Sequence, residues 1–287
     1  LFPPERELYQ HQWESVKQEL EHGKSLVVTT GTGSGKTECF LLPLLAQLVR
    51  ESFTWPDISP VPGNREWWHR DPARERVAQW GHSNRVPAMR ALILYPLNAL
   101  VEDQLMRLRM VLDDDDSHRW LDTHRGGNRI TFGRYTSLTP LPGREARSQI
   151  ERLGRELNRS NKTYLQILNE LQENSDLPPE TRYFFPRLDG GEMWSRWDMQ
   201  ETPPDILITN YSMLNIMMMR GIERNIFEQT KHWLSEDGHP ERQFYLIVDE
   251  LHSYRGTPGT EVAYIIRLLL SRLGLSADSP KLRILST

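Results

Sequence analysis

Short apolar runs alternate with stretches of helical spacing along most of the chain. Residues 25–30 form a β-branched run, followed by a glycine-rich turn and an apolar helical stretch over 38–49. A second run, 91–95, is ended by Pro96 and followed by helical spacing over 99–112. Further strand-like runs fall at 129–132, 205–209, 244–248 and 282–285, with helical spacing at 144–172 and 261–273. Runs buried on both faces and separated by helices predict an α/β fold with a mainly parallel sheet and helices on both faces. The chain begins at Leu1 and its last run reaches the end at Thr287, so it reads as a piece of a longer protein.

Two insertions interrupt the alternation. Residues 51–88 are rich in Pro, Trp and Arg. Trp55, Trp67, Trp68 and Trp80 predict a satellite core over a sheet edge. The same rings could instead form a stacking surface for unpaired bases. Residues 138–200 are mainly helical and basic. From Arg119 to Lys162, nine Arg and one Lys stand against four carboxylates, a net +6. That fits a solvated helix face or a phosphate-facing one. The run Asp113 to Asp116 reads as a solvated loop.

Composition narrows the classes. Of 287 residues 38% are hydrophobic and 26% charged, which is globular rather than disordered. A net charge of −4 argues against a strongly basic nucleic-acid footprint. It leaves open binding through backbone amides. One cysteine, Cys39, excludes an internal disulfide framework and fits a reducing cytoplasm. No apolar run approaches the roughly 18 residues of a membrane helix, so no membrane partner is expected.

The chemistry concentrates in two places. Thr30-Gly31-Thr32-Gly33-Ser34-Gly35-Lys36-Thr37 follows a strand-like run and opens a helix, which is the setting of a phosphate-binding loop. The glycines let successive N–H groups curl toward phosphate oxygens, and the helix N-terminus adds its positive end. Lys36 can reach the β- and γ-phosphates of ATP, and Thr37 can offer its hydroxyl to Mg²⁺. The second place is Asp249-Glu250, just past an apolar strand, where open α/β sheets hold their ligands. Asp249 can join the Mg²⁺ shell while Glu250 orients or deprotonates the attacking water.

With Asp249-Glu250-Leu251-His252, the sequence resembles a superfamily 2 helicase of the DExH type, where Thr at position 30 is usual. Tyr9-Gln10-His11-Gln12 resembles the Q motif, which implies that Gln12 reads the adenine edge and Tyr9 stacks on its ring. Residues 95–104, from Tyr95-Pro96-Leu97-Asn98 onward, are similar to motif Ia, with Leu97 where many members have Thr. Thr209-Asn210 resembles motif Ib, and Leu285-Ser286-Thr287 the opening of motif III. Residues 249–259, 132–136 and 196–207 resemble the large bacterial DUF1998-containing helicases. These include helicases of phage-defence systems such as Druantia and DISARM; repair helicases similar to yeast Hrq are more distant.

The resemblance implies a first RecA-like P-loop domain, with the second RecA-like domain and its arginine fingers outside this chain. It implies ATP and Mg²⁺ as ligands. DNA, single-stranded or with a single-stranded tail, would be gripped through Pro96, Asn98, Arg134, Thr139, Thr209 and Asn210. His252 would relay between the γ-phosphate and Ser286-Thr287. Partner subunits of a defence system would follow. An RNA-directed helicase and a nucleotide-gated interaction module are the alternatives.

Overall fold

The computed structural model describes residues 7–31, 34–70, 72–141, 143–174, 176–236, 239, 241–254 and 256–287. Among them six strands form one sheet: β1 (Leu26–Val27), β2 (Ala91–Tyr95), β3 (Phe132–Tyr135), β4 (Ile206–Asn210), β5 (Phe244–Val248) and β6 (Leu282–Ser286). The order is β1-β6-β5-β2-β4-β3, and every neighbouring pair is parallel. Successive side chains point to opposite faces, and both faces are apolar. On one face Ala91, Ile93, Tyr245 and Ile247 meet helices α2 (Lys36–Ser52) and α3 (Asn98–Leu112). Helix α1 (Gln10–Leu20) lies against α2. On the other face Leu92, Leu94, Leu246 and Val248 meet α7 (Tyr211–Met219), α8 (Arg224–Ser235) and α9 (Thr257–Leu273). The fold is the expected α/β architecture with helices on both faces.

Three local expectations are corrected. The strand expected over 25–30 is only Leu26–Val27, an edge strand paired to β6 alone. The Val28 amide still bonds the Ser286 carbonyl at 2.8 Å before the chain turns away into the phosphate loop. The strand expected at 129–132 lies at Phe132–Tyr135. The buried Asp205 carboxylate holds Thr131 through its N–H and hydroxyl, so the ladder starts one residue later. Gly133 suits it, because a Cβ there would lie 2.9 Å from the Met199 sulfur. Packing overrides the poor strand propensity of glycine. The Asp113 to Asp116 run is not a solvated loop. Asp114 caps α4 (Asp115–His124) by accepting from the Ser117 N–H, and Asp115 and Asp116 sit at the positive end of that helix. Asp113 is buried, accepts from the Gly191 N–H and pairs with His118.

The two inserted stretches pack on each other. Trp67 and Trp68 pack with Leu153 and Leu157 of α5 (Arg147–Glu173), and with Trp194 and Trp197. Gly154 permits the approach, since a Cβ there would lie 2.8 Å from Ala73. The Trp68 and Trp194 rings meet edge to face at 4.5 Å. Trp80 is buried in the core of the sheet's other face, and Trp55 lies under the Arg85 guanidinium. The tryptophans therefore form core rather than a stacking surface for bases. Buried ion pairs tie the unit down: Arg76 to Asp198, Arg85 to Asp205 and Arg90 to Glu51. Along α5 the exposed arginines Arg147 and Arg152 pair with Glu151 and Glu156 one turn on, as on a solvated face.

Candidate functional site

The phosphate loop is set by its neighbours. Gly35 caps α2 with φ 75°, and a Cβ there would lie 2.3 Å from the Gln12 amide nitrogen. Only glycine meets both conditions. Gln12 donates from that nitrogen to the Gly35 carbonyl at 3.0 Å and accepts from the Tyr9 N–H at 3.0 Å. It is 0% exposed, so its amide holds the loop instead of presenting an edge to solvent. His11 lies 2.9 Å from the Ser34 carbonyl, and the exposed Tyr9 ring stacks on His11 at 5.7 Å. The Ser34 hydroxyl donates to the Gly31 carbonyl at 2.7 Å and takes a bond from Thr30 at 2.7 Å. Thr30 thus closes the loop with its side chain. Thr32 and Gly33 lie outside the described residues. Lys36 and Thr37 open α2, and among the described residues no hydrogen bond or ion pair occupies the Lys36 ammonium or the Thr37 hydroxyl.

A cleft of about 420 Å³ lies beside this loop, lined among others by Thr30, Lys36, His252 and Thr287. Asp249 leaves β5 with its N–H on the Leu94 carbonyl at 3.1 Å. Its Oδ1 accepts from the Glu250 N–H at 3.0 Å and from the Thr287 hydroxyl. Glu250 is left-handed, φ 53° and ψ 45°, a costly conformation for a residue with a Cβ. His252 Nδ1 lies 3.1 Å from Glu250 Oε2. The side-chain contact with Thr287 is therefore made by Asp249, whereas His252 engages Glu250. Tyr254 stands behind, its hydroxyl pushed up to about 12 by burial and by the Asp249 charge. Among the described residues no group of three or more His, Cys, Asp or Glu side chains could hold a metal. Asp249 with the Thr37 hydroxyl fits a cation that keeps phosphate and water oxygens, as Mg²⁺ does.

The ends of β2, β4 and β3 form a second corner. Asn210 caps α7, accepting from the Met213 N–H at 2.8 Å, and donates to Asn98 at 2.6 Å. Asn98 donates in turn to Ser137 at 3.4 Å. Two expected nucleic-acid contacts are turned inward. Thr209 is buried and donates to the Tyr135 carbonyl at 2.6 Å. Thr139 is buried and donates to the Arg134 carbonyl at 2.7 Å. Hydroxyls spent on main chain shape the loops and are not free for a phosphate. Arg134 is paired with Glu102, and burial lowers its pKa. Pro96 is half-buried beside Leu97, which is 64% exposed, and Leu138 is 57% exposed. Leu97 precedes α3 without capping it, so the first amides of that helix stand open to an anion.

Sequence reasoning missed Tyr95 and Gln104. The Tyr95 hydroxyl donates to Gln104 at 2.9 Å beside Asp249. The available signal was a lone hydroxyl ending an aliphatic strand at its carboxyl end. A larger cavity of about 470 Å³, bordered by Arg65, Tyr164 and Arg187 of the satellite unit, contains none of the motif residues.

The DEAD/DEAH box helicase family matches residues 9–132. The Druantia protein DruE of Escherichia coli (strain UMEA 4076-1) is 35% identical over 315 residues, covering 94% of this chain and 15% of that protein. Residues 9–132 thus carry a DEAD/DEAH box helicase match. Two solved structures share the fold of this chain. The DUF1998 helicase MrfA bound to DNA and AMPPNP matches with a TM-score of 0.50 at 21% identity, over 99% of this chain and 24% of that one. Mycobacterium smegmatis helicase Lhr bound to ssDNA and AMP-PNP matches with a TM-score of 0.50 at 19% identity, over 96% and 22%. The chain thus spans a small part of each relative. No helix among its described residues is long and apolar enough to cross a membrane.

Proposed function

We propose that this chain is the ATP-binding motor domain of a helicase that couples ATP hydrolysis to movement on DNA in bacterial anti-phage defence. One observation carries the reading. The start of α2, with Lys36, opens on the same cleft as His252 and Thr287, and Thr287 is bonded to Asp249. The loop amides and Ser34-Gly35 cradle the phosphates of ATP, and Lys36 sets its charge against the β- and γ-oxygens. Thr37 and Asp249 would hold the nucleotide's Mg²⁺, which would supply neutralisation of phosphate charge. Glu250 orients the attacking water and takes its proton, with His252 steadying the carboxylate. Adenine stacks on Tyr9, while Gln12 keeps the loop in shape.

The strand crosses the β2–β4–β3 corner, held by α3 amides and by Asn98 and Asn210, with Pro96 and Arg134 at its border. Such backbone contacts carry no sequence code. The second RecA-like domain of the full-length protein supplies the arginine finger, worth about 10³–10⁵ in rate. The Druantia relative supports the defence role and partner subunits from that system.

The test is the ATPase rate of the full-length protein with ssDNA, dsDNA or RNA added. DNA should stimulate most. Stimulation by RNA alone would make it an RNA-directed helicase. No stimulation by any nucleic acid would make it a nucleotide-gated interaction module.

A further inference from the structure

A cavity of about 270 Å³ lies at the seam between the sheet and the satellite unit. Arg134 reaches it from β3, Glu102 from α3, and Leu157 and Ser160 from α5. Met193 and Trp194 add buried apolar wall, and Phe184, 63% exposed, stands at the rim. The space is smaller than the roughly 300–1,000 Å³ that drug-sized ligands fill, and suits a single flat ring system.

Every charged residue that lines the cavity is paired: Arg109 with Glu192, Arg134 with Glu102, and Glu156 with Arg152. The pair of Arg109 and Glu192 is closed. Glu192 accepts from two Arg109 nitrogens at 2.5 and 2.8 Å, and the third bonds the Tyr183 and Phe184 carbonyls. Arg134 meets Glu102 through Nη1 alone, and its Nε and Nη2 have no partner among the described residues. The Ser160 hydroxyl has none among them either. Balanced charge, apolar walls and spare donors call for an uncharged planar guest that carries acceptors. A nucleobase has that chemistry.

The cavity also lies where a base would arrive. Glu102 follows Asn98 by one turn on the same face of α3, about 6 Å along the axis. Asn98 bonds Asn210 and Ser137 at the proposed strand corner, and Thr139, two residues after Ser137, lines the cavity. A strand whose phosphate rests on the first amides of α3 has its base beside the opening. Unstacked bases are held by stacking on aromatic rings and by hydrogen bonds to their edges.

We propose that this cavity receives one unstacked base of the strand crossing the corner, laid against Phe184 with Arg134 and Ser160 donating to its edge. The proposal rests on the motor reading above and adds a base contact to its backbone grip. The experiment measures the affinity of the full-length protein for a DNA duplex with a single-stranded tail, of either polarity, by fluorescence anisotropy. The junction fixes the register, and a single abasic site is moved along the tail one position at a time. One position should lose about 5–150-fold, the worth of one stacked base, while its neighbours change little. Ser160→Phe fills the cavity from a half-buried helix position, and Phe184→Ala removes the ring at the rim. In each variant the loss at that position should shrink toward nothing, while the abasic tail binds as it does to the wild type. Equal wild-type binding at every abasic position, or a positional loss that survives intact in either folded variant, would overturn the base pocket and leave the backbone grip standing. A wild type that binds no tailed duplex would overturn the motor reading and the pocket with it.

Discussion

The proposed nucleotide corner and the proposed strand corner both sit at the carboxyl ends of the strands of one sheet, yet they spend their polar side chains differently. At the nucleotide corner Lys36 and Thr37 carry no bond among the described residues, and the loop around them is held by Gln12, His11, Thr30 and Ser34. At the strand corner Thr139 and Thr209 are bonded inward, and Asn98 and Asn210 bond each other. The charge proposed to meet a phosphate has no partner among the described residues. A grip that reads only backbone can be built from amides, with side chains used to hold the loops that present them.

The largest effect should separate the corners. Lys36→Ala should lower ATP turnover by about 10²–10³-fold, because an electrostatic group aimed at the reacting phosphates is lost. DNA binding without nucleotide should persist. Near-normal turnover would erase the contrast by removing the free charge from the chemistry.

A buried charge at the opposite end of the strands calibrates the inward use of polar groups. Asp205 takes both nitrogens of Arg85 and the Thr131 N–H with no exposure to solvent. Burial acts to raise its pKa, but Arg85 and Arg90 outweigh it and hold the carboxyl below its ordinary range. Its contribution is therefore present at neutral pH and is lost as pH falls through that lowered value. Asp205→Ala should cost about 3–5 kcal/mol in a denaturant titration, since it leaves buried Arg85 without its carboxylate and Arg90 with Glu51 alone. A loss under about 1 kcal/mol would mean that this ion pair does little to hold the unit.

The smallest effect is the most discriminating. Thr139→Val and Thr209→Val each remove a side chain to main chain bond and should cost about 1 kcal/mol of stability. DNA affinity at fixed salt should not change. A loss of about tenfold in either folded variant would return these hydroxyls to the phosphates and make the two corners alike.

The sequence carried the sheet because its strands are written in local pattern, and the proposed nucleotide chemistry rests on the same kind of local signal. The runs 91–95 and 244–248 are strands over those same residues, since aliphatic runs buried on both faces admit little else. The phosphate loop declares itself through glycine, Lys36 and Thr37 between a strand and a helix. What sequence could not give depends on distant partners. The start of β3 is set by Asp205, more than 70 positions away along the chain. The direction of Thr139 and Thr209 is set by main-chain carbonyls that only the fold brings near. Gln12 carries the right residue type for adenine recognition, but its burial is fixed by the approach of Gly35.

The central claim is that the free side chains of the nucleotide corner drive movement on DNA. It is tested most directly by ATP-dependent displacement of a labelled strand by the full-length protein, wild type against Glu250→Gln. The wild type should displace the strand only with ATP and Mg²⁺. The variant should still bind ATP, with displacement lower by about 10²–10⁴-fold, because an amide cannot take the proton of the attacking water. Displacement at the wild-type rate by Glu250→Gln, or by the wild type without nucleotide, would contradict the account.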